Sequence, residues 1–223
     1  MPLKPSYKGY LFDLDGTLLD SAPDIGAALN HALASIALPP SPTALIRHWV
    51  GHGSRTLIRE ALQHHERYID AEQVEGLLPL FLDYYKSHLA DQSELYPTVL
   101  TTLTTLRDCG YRLAVVTNKL AELTHPLLQE IGLSDYFDLI VSGDTAAKSK
   151  PAPEPILLCL EKFELGSAEV LMVGDSGTDV GAAKAANVDV ACLRDGYNHG
   201  VNVVDLAPTA VIDQLAEVLP SQR

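Results

Sequence analysis

Apolar residues along this chain fall into two kinds of run. Short continuous ones, such as Tyr10-Leu11-Phe12, Leu113-Ala114-Val115-Val116 and Val170-Leu171-Met172-Val173, have the length and composition of strands buried on both faces. Others place apolar residues three and four positions apart, as one face of a helix requires. Beyond Tyr96-Pro97 the two kinds alternate: helix Val99 to Arg107, strand Arg112 to Val116, helix Ala121 to Ile131, strand Leu139 to Val141, and helix Glu154 to Phe163. Strand Val170 to Val173, helix Thr178 to Ala186 and strand Val188 to Leu193 follow, and a weaker pair, Ala210 to Ile212 and Leu215 to Leu219, closes the chain. The alternation predicts an α/β fold with a doubly wound parallel sheet covered on both faces.

The first strand, Gly9 to Leu14, is followed by something different. Ser21 is placed to cap a helix from Asp24 to Ala37, with Asp24 completing a capping box and Ile25, Leu29, Leu33 and Ile36 on one face. Leu38-Pro39-Pro40-Ser41-Pro42 stops it. A second helix, Thr43 to Val50, ends at Gly51-His52-Gly53, Ser54 is placed to cap a third, and a fourth runs from Asp70 to about Leu89 with Pro79 as a kink or break. No strand is expected between about 21 and 95. The predicted organisation is a discontinuous core, 1–18 and 95–223, with a helical cap, 19–94, inserted after strand 1. Ligands of open α/β sheets sit beyond the carboxyl ends of the strands, so these helices are expected to stand over the site.

Composition narrows the partners. The net charge is -13 in 223 residues, which argues against nucleic acid or an anionic membrane surface and means that an anionic substrate needs local positive charge. Three cysteines, Cys109, Cys159 and Cys192, form no Cys-x-x-Cys and suit buried thiols in a reducing compartment. The first residues lack a signal-peptide core, and no run of about 18 apolar residues occurs. A cytoplasmic protein, monomer or homodimer, is expected.

Candidate chemistry falls at the predicted strand ends. Asp13 and Asp15 lie two apart, on one side if strand geometry persists, and Gly16 allows a sharp turn. Alone, this pattern favours a simple turn. Thr117-Asn118-Lys119 follows the next strand, Lys150-Pro151 stands at the entrance of a later helix, and Gly174-Asp175-Ser176-Gly177-Thr178-Asp179 joins a strand to a helix. Independent turns have no reason to put carboxylates, hydroxyl, amide and lysine at successive ends of one sheet. The set argues for a site.

With these four motifs in order and a helical insertion between the first two, the sequence resembles the haloacid dehalogenase superfamily. Asp13-Leu14-Asp15-Gly16-Thr17-Leu18-Leu19-Asp20-Ser21-Ala22-Pro23-Asp24, Trp49-Val50-Gly51-His52-Gly53 and Thr117-Asn118-Lys119 look most like its phosphoglycolate phosphatases. The resemblance implies a Mg²⁺-dependent hydrolase for a small anionic phosphomonoester, with 2-phosphoglycolate the expected substrate. It implies Asp13 as nucleophile, Asp15 as proton carrier, and Lys150, Thr117, Asn118 and Gly16 around the phosphoryl oxygens. Metal ligands would be Asp13, the backbone carbonyl of Asp15 and Asp175, with Asp179 assisting or bridging through water. The Gly51–Ser54 loop would face the site, and Arg55 would meet a substrate carboxylate.

Alternatives on the same scaffold are a phosphatase for another small metabolite or pyrophosphate, a sugar-phosphate mutase, and a non-catalytic binding protein. A dehalogenase is disfavoured by Asp15, which serves an oxygen leaving group. Cysteine phosphatase chemistry is disfavoured because neither Cys109-Gly-Tyr-Arg112 nor Cys192-Leu-Arg194 spans a phosphate loop. His48 and His52 are four apart, but Gly51 interrupts the helix and no carboxylate is suitably spaced for a shared metal.

Overall fold

The continuous apolar runs form a six-stranded parallel sheet in the computed structural model, which describes residues 3–4, 7–66 and 70–220. Its strands are β1 (Gly9–Phe12), β4 (Arg112–Val116), β5 (Leu139–Val141), β6 (Val170–Gly174), β7 (Asp189–Leu193) and β8 (Ala210–Ile212), in the order β5-β4-β1-β6-β7-β8. Register pairs Phe12 with Val115 on one side and Val173 on the other, so the first strand lies at the centre.

Strand alternation sends neighbouring side chains to opposite faces. Leu11, Ala114, Val116 and Met172 pack with α7 (Glu154–Phe163) and α8 (Gly177–Ala185). Tyr10, Phe12, Leu113, Val115 and Val173 face the other way, into a cluster with α5 (Val99–Asp108), α6 (Ala121–Glu130) and the inserted helices. Both faces are therefore apolar, as the continuous runs require.

The insertion comprises α1 (Ala22–Ala34), α2 (Thr43–Ile46), α3 (Ser54–His64) and α4 (Ala71–Lys86), with α4 packed against α1 and α3. Two short strands that the sequence pattern misses, β2 (Leu19–Asp20) and β3 (Glu94–Leu95), pair antiparallel where the chain leaves and re-enters the core. Two residues are too few to carry a period.

Helix ends differ from expectation where side chains have other partners. Ser21 stands at the N-cap of α1 but makes no cap; its hydroxyl donates to Asp15 Oδ1 at 2.5 Å. Asp24 accepts from the Gln92 N–H at 3.1 Å and the Ser93 hydroxyl at 2.6 Å, tying α1 to the returning linker. Gly53, at φ +85°, precedes α3, so Ser54 is its first residue rather than its cap. The α2 segment ends at Ile46 and continues as turns to Val50, whereas α4 carries the exposed Pro79 without ending there. The closing segment is a 3₁₀ turn, Leu215–Val218. Cys109 is exposed, contrary to expectation, while Cys159 and Cys192 are buried, and burial pushes the Cys159 thiol up to about 12. Among the described residues no helix is long and apolar enough to cross a membrane.

Candidate active site

Parallel pairing brings the strand ends to one edge. Asp13 follows β1 and donates its N–H to Val173 O at 2.9 Å; Thr117 follows β4, and Asp175 follows β6. Lys150 reaches the same edge from the β5–α7 connection. Asp13, Thr117, Lys150, Asp175 and Asp179 are all buried.

Lys150 Nζ lies 2.9 Å from Asp13 Oδ1 and 2.6 Å from Asp179 Oδ1. The latter is an aligned hydrogen bond, whereas Asp13 Oδ1 is buried without one. Asp175 accepts from the Thr17 hydroxyl and from the Tyr197 N–H, each at 2.6 Å. The second Asp179 oxygen closes the opening turn of α8, accepting from the N–H groups of Asp175 at 3.2 Å and Ser176 at 3.1 Å and from the Ser176 hydroxyl at 2.9 Å. Thus Asp179 orients both Lys150 and the loop that carries Asp175.

One oxygen from each of Asp13, Asp175 and Asp179 falls within 4.8 Å of the others. Three buried carboxylates face one ammonium, and ions taken from water cost several kcal/mol each unless they are paired. Burial pushes the Asp13 carboxyl up to about 7, Asp179 and Asp15 add to the rise, and Lys150 opposes it. Asp175 is raised for the same reasons, by burial and then by Asp179 and Asp13, against the pull of Thr17 and Tyr197. Burial works against the Lys150 charge, but Asp13 and Asp179 outweigh it and hold this lysine above its ordinary range. An oxygen-preferring divalent cation would supply the missing positive charge and reverse the rise at the carboxyls. The buried Asp13 oxygen that has an ion pair but no hydrogen bond, together with the all-oxygen donor set, fits such an ion.

Glycines make room for this packing. Gly16 has φ +89°, and a Cβ there would stand 2.5 Å from Asp175 Oδ2. Its N–H is occupied by Leu19 O at 2.9 Å, so its part is steric rather than donation to phosphate. At Gly196 a Cβ would come within 2.3 Å of Asp175 Cβ.

Asp15 occupies the cap side of the cluster. Its Oδ1 lies 3.0 Å from Lys119 Nζ, which also donates to the Tyr85 hydroxyl of α4 at 2.6 Å. The Asn118 amide donates to Gly51 O and to Lys150 O, both at 3.0 Å, clasping the cap loop and the Lys150 turn together. A further contact joins His199 Nδ1 to His48 O at 2.7 Å, with the His199 and His52 rings 4.3 Å apart. Between cap and core lies a cleft of about 50 Å³, lined by Asp13, Asp15, Thr117, Asn118 and Lys119 below and mainly by apolar cap residues above.

Of the expected site residues, Asp13, Asp15, Thr117, Asn118, Lys150, Asp175 and Asp179 converge, with Gly16 packed against Asp175. Gly51, Gly53 and Ser54 line the cleft. Arg55 does not: it is exposed and forks onto Glu75 at 2.6 and 3.0 Å, an ion pair between α3 and α4, so it is not positioned for a substrate carboxylate. Tyr197 was missed. Its hydroxyl donates to Asp20 Oδ1 at 2.6 Å and accepts the Ala22 N–H at 2.8 Å, while its own N–H holds Asp175. Asp20 also takes Arg47 at 2.6 Å. The available signal was position, since Gly196-Tyr197 follows the end of β7.

The family described as haloacid dehalogenase-like hydrolase matches residues 10–193. The chain belongs to this family. Among curated relatives of this haloacid dehalogenase-like hydrolase, a phosphoglycolate phosphatase of Nitrosococcus oceani is 42% identical over 212 residues, covering 93% of each chain. Phosphoglycolate phosphatase 1 of Pseudomonas aeruginosa is 43% identical over 213 residues, covering 94% of this chain and 78% of that one. The crystal structure of a predicted phosphoglycolate phosphatase from Haemophilus somnus superposes with a TM-score of 0.89 at 34% identity, covering 96% of both chains. The protein is an enzyme of the phosphatase type.

Proposed function

We propose that this hydrolase is a Mg²⁺-dependent phosphomonoesterase that works through an aspartyl-phosphate and takes 2-phosphoglycolate to glycolate and phosphate. The observation that carries the reading is the buried cluster of Asp13, Asp175 and Asp179 around Lys150, with a second carboxylate, Asp15, on the cap side. Relatives at about 40% identity named phosphoglycolate phosphatase support the choice of substrate.

Asp13, the backbone carbonyl of Asp15 and Asp175 would hold the cation, with Asp179 assisting or bridging through water, and the ion would supply positive charge to the phosphoryl oxygens. A carboxylate oxygen of Asp13 attacks phosphorus, the ester P–O bond breaks, and the phosphoryl group passes to Asp13. Asp15 gives its proton to the departing alkoxide, then takes one from the water that attacks phosphorus and frees Asp13. Lys150 neutralises charge beside the nucleophile, and Thr117 offers its hydroxyl to the transferring group. The clasp between Asn118 and Gly51 O supports a closed cap that keeps bulk water out while the reaction proceeds.

The experiment is phosphate release from a panel of 2-phosphoglycolate, short phospho-acids, sugar phosphates, nucleotides and pyrophosphate, with Mg²⁺ and with EDTA. The reading expects metal-dependent turnover with the highest kcat/KM on 2-phosphoglycolate. A clear preference for sugar phosphates or nucleotides would overturn the substrate, and full turnover in EDTA would overturn the metal. Cytoplasmic location belongs to the same proposal, resting on the free thiols of Cys109, Cys159 and Cys192.

A further inference from the structure

We infer that Lys119 is the specificity-determining cation of the site, binding a carboxylate on the leaving-group side of the substrate, with Tyr85 of the cap holding its ammonium in place. The inference rests on the phosphomonoesterase reading and deepens it.

Two buried lysines divide the site. Lys150 is engaged by Asp13 and Asp179, on the side where the phosphoryl group is transferred. Lys119 is the only cation among the described residues that line the cleft, whose cap wall is formed by Ile25, Val50, Leu57 and Phe81. An acidic chain has put one positive charge against an apolar roof. Arg55, the other candidate, is committed to Glu75.

Position assigns the ligand. Asp15 must stand beside the ester oxygen to protonate it, and Lys119 Nζ lies 3.0 Å from Asp15 Oδ1. In a 2-phospho-acid, only one carbon separates that ester oxygen from the carboxyl carbon, so a carboxylate oxygen falls within ion-pair reach of a cation beside Asp15. An ammonium has three donors. Asp15 and the Tyr85 hydroxyl, at 2.6 Å, account for two of them among the described residues, which leaves one for substrate. The Tyr85 ring centroid is 4.6 Å from Nζ and its phenol is buried, so the ammonium has little freedom to swing away. Because Tyr85 belongs to α4 and Lys119 to the core, this subsite is complete only with the cap closed.

The test is the ratio of kcat/KM for 2-phosphoglycolate to that for ethyl phosphate, which lacks the carboxylate, with 3-phosphoglycerate as a second phospho-acid. A site built around a polar group discriminates by orders of magnitude against an analogue that lacks it. Lys119→Met is expected to lower the ratio by about 100-fold or more, Lys119→Arg to recover part of it, and Tyr85→Phe to lower it by a smaller factor. Should Lys119→Met not fold, judged by circular dichroism, Lys119→Gln and Tyr85→Phe carry the same test. Equal loss on both esters would overturn the inference, because it would make Lys119 only a support for Asp15. Retention of the wild-type ratio in Lys119→Met would also overturn it while leaving the 2-phosphoglycolate reading intact. A wild-type enzyme that prefers 3-phosphoglycerate, with that preference lost in Lys119→Met, would overturn the substrate and uphold the role of Lys119.

Discussion

Tyr197→Phe isolates the link between the site and the cap hinge. The substitution keeps the buried ring and removes one oxygen, which donates to Asp20 at 2.6 Å and accepts from the Ala22 N–H at 2.8 Å. A hydrogen bond to a charged group contributes about 1.5–3 kcal/mol, and a buried N–H left without a partner costs about 1–3 kcal/mol. Asp20 keeps Arg47 and is partly solvated, which reduces the first contribution. The expected loss is therefore about 3 kcal/mol. For a chain of this length, that corresponds to a fall in Tm of about 6–12 °C. Urea unfolding followed by circular dichroism and by Trp49 fluorescence measures it, and coincidence of the two transitions tests whether cap and core unfold together. A double-mutant cycle with Asp20→Asn should show a coupling of about 1–2 kcal/mol. A loss under about 0.5 kcal/mol with no coupling would refute this account of the hinge.

Other outcomes follow from single contacts. Lys150→Met removes the ammonium shared by Asp13 and Asp179, and kcat/KM should fall by at least about 10²–10³-fold; a fall of only a few-fold would remove Lys150 from the reaction. Burial would raise Asp189, but Lys4 at 2.6 Å and the Tyr7 hydroxyl at 2.9 Å outweigh it and hold its carboxyl below 3.8. Its stabilisation is thus present above pH 3.8 and is lost as pH falls through the lower folded value, so Asp189→Asn should flatten the acid limb of a stability–pH profile; an unchanged limb would contradict the contact. Thiol titration of the native protein should find one fast-reacting cysteine, Cys109, with Cys159 and Cys192 reacting only after denaturation, and three fast thiols would contradict the burial.

How much of this was legible in the chain depended on the range over which each feature is encoded. Continuous apolar strands and periodic helices are local, and so were the ends of β1, β4 and β6, where Asp13, Thr117 and Asp175 stand. The cap hinge was not, since Leu19–Asp20 and Glu94–Leu95 pair across the whole insertion through two residues each. Ser21 and Asp24 fit a capping box by spacing, but Asp15 and the Gln92-Ser93 linker offer their side chains other partners. Arg55 shows the same limit in reverse. Guanidinium chemistry suits a carboxylate, but Glu75, twenty residues on, is the carboxylate it meets. Lys119 was visible as part of a motif, yet its importance comes from Asp15 and Tyr85, which only the folded cap brings to it.

The central claim is that phosphorus is transferred to Asp13. The direct measurement is acid quench of the Mg²⁺-loaded enzyme during turnover of 2-phosphoglycolate, followed by peptide mapping for a labile phosphoryl group. The account predicts the phosphoryl group on the peptide containing Asp13, with its loss, together with loss of phosphate release, in Asp13→Asn. Turnover that persists in Asp13→Asn without deamidation, or a phosphoryl group mapped to another residue, would contradict it.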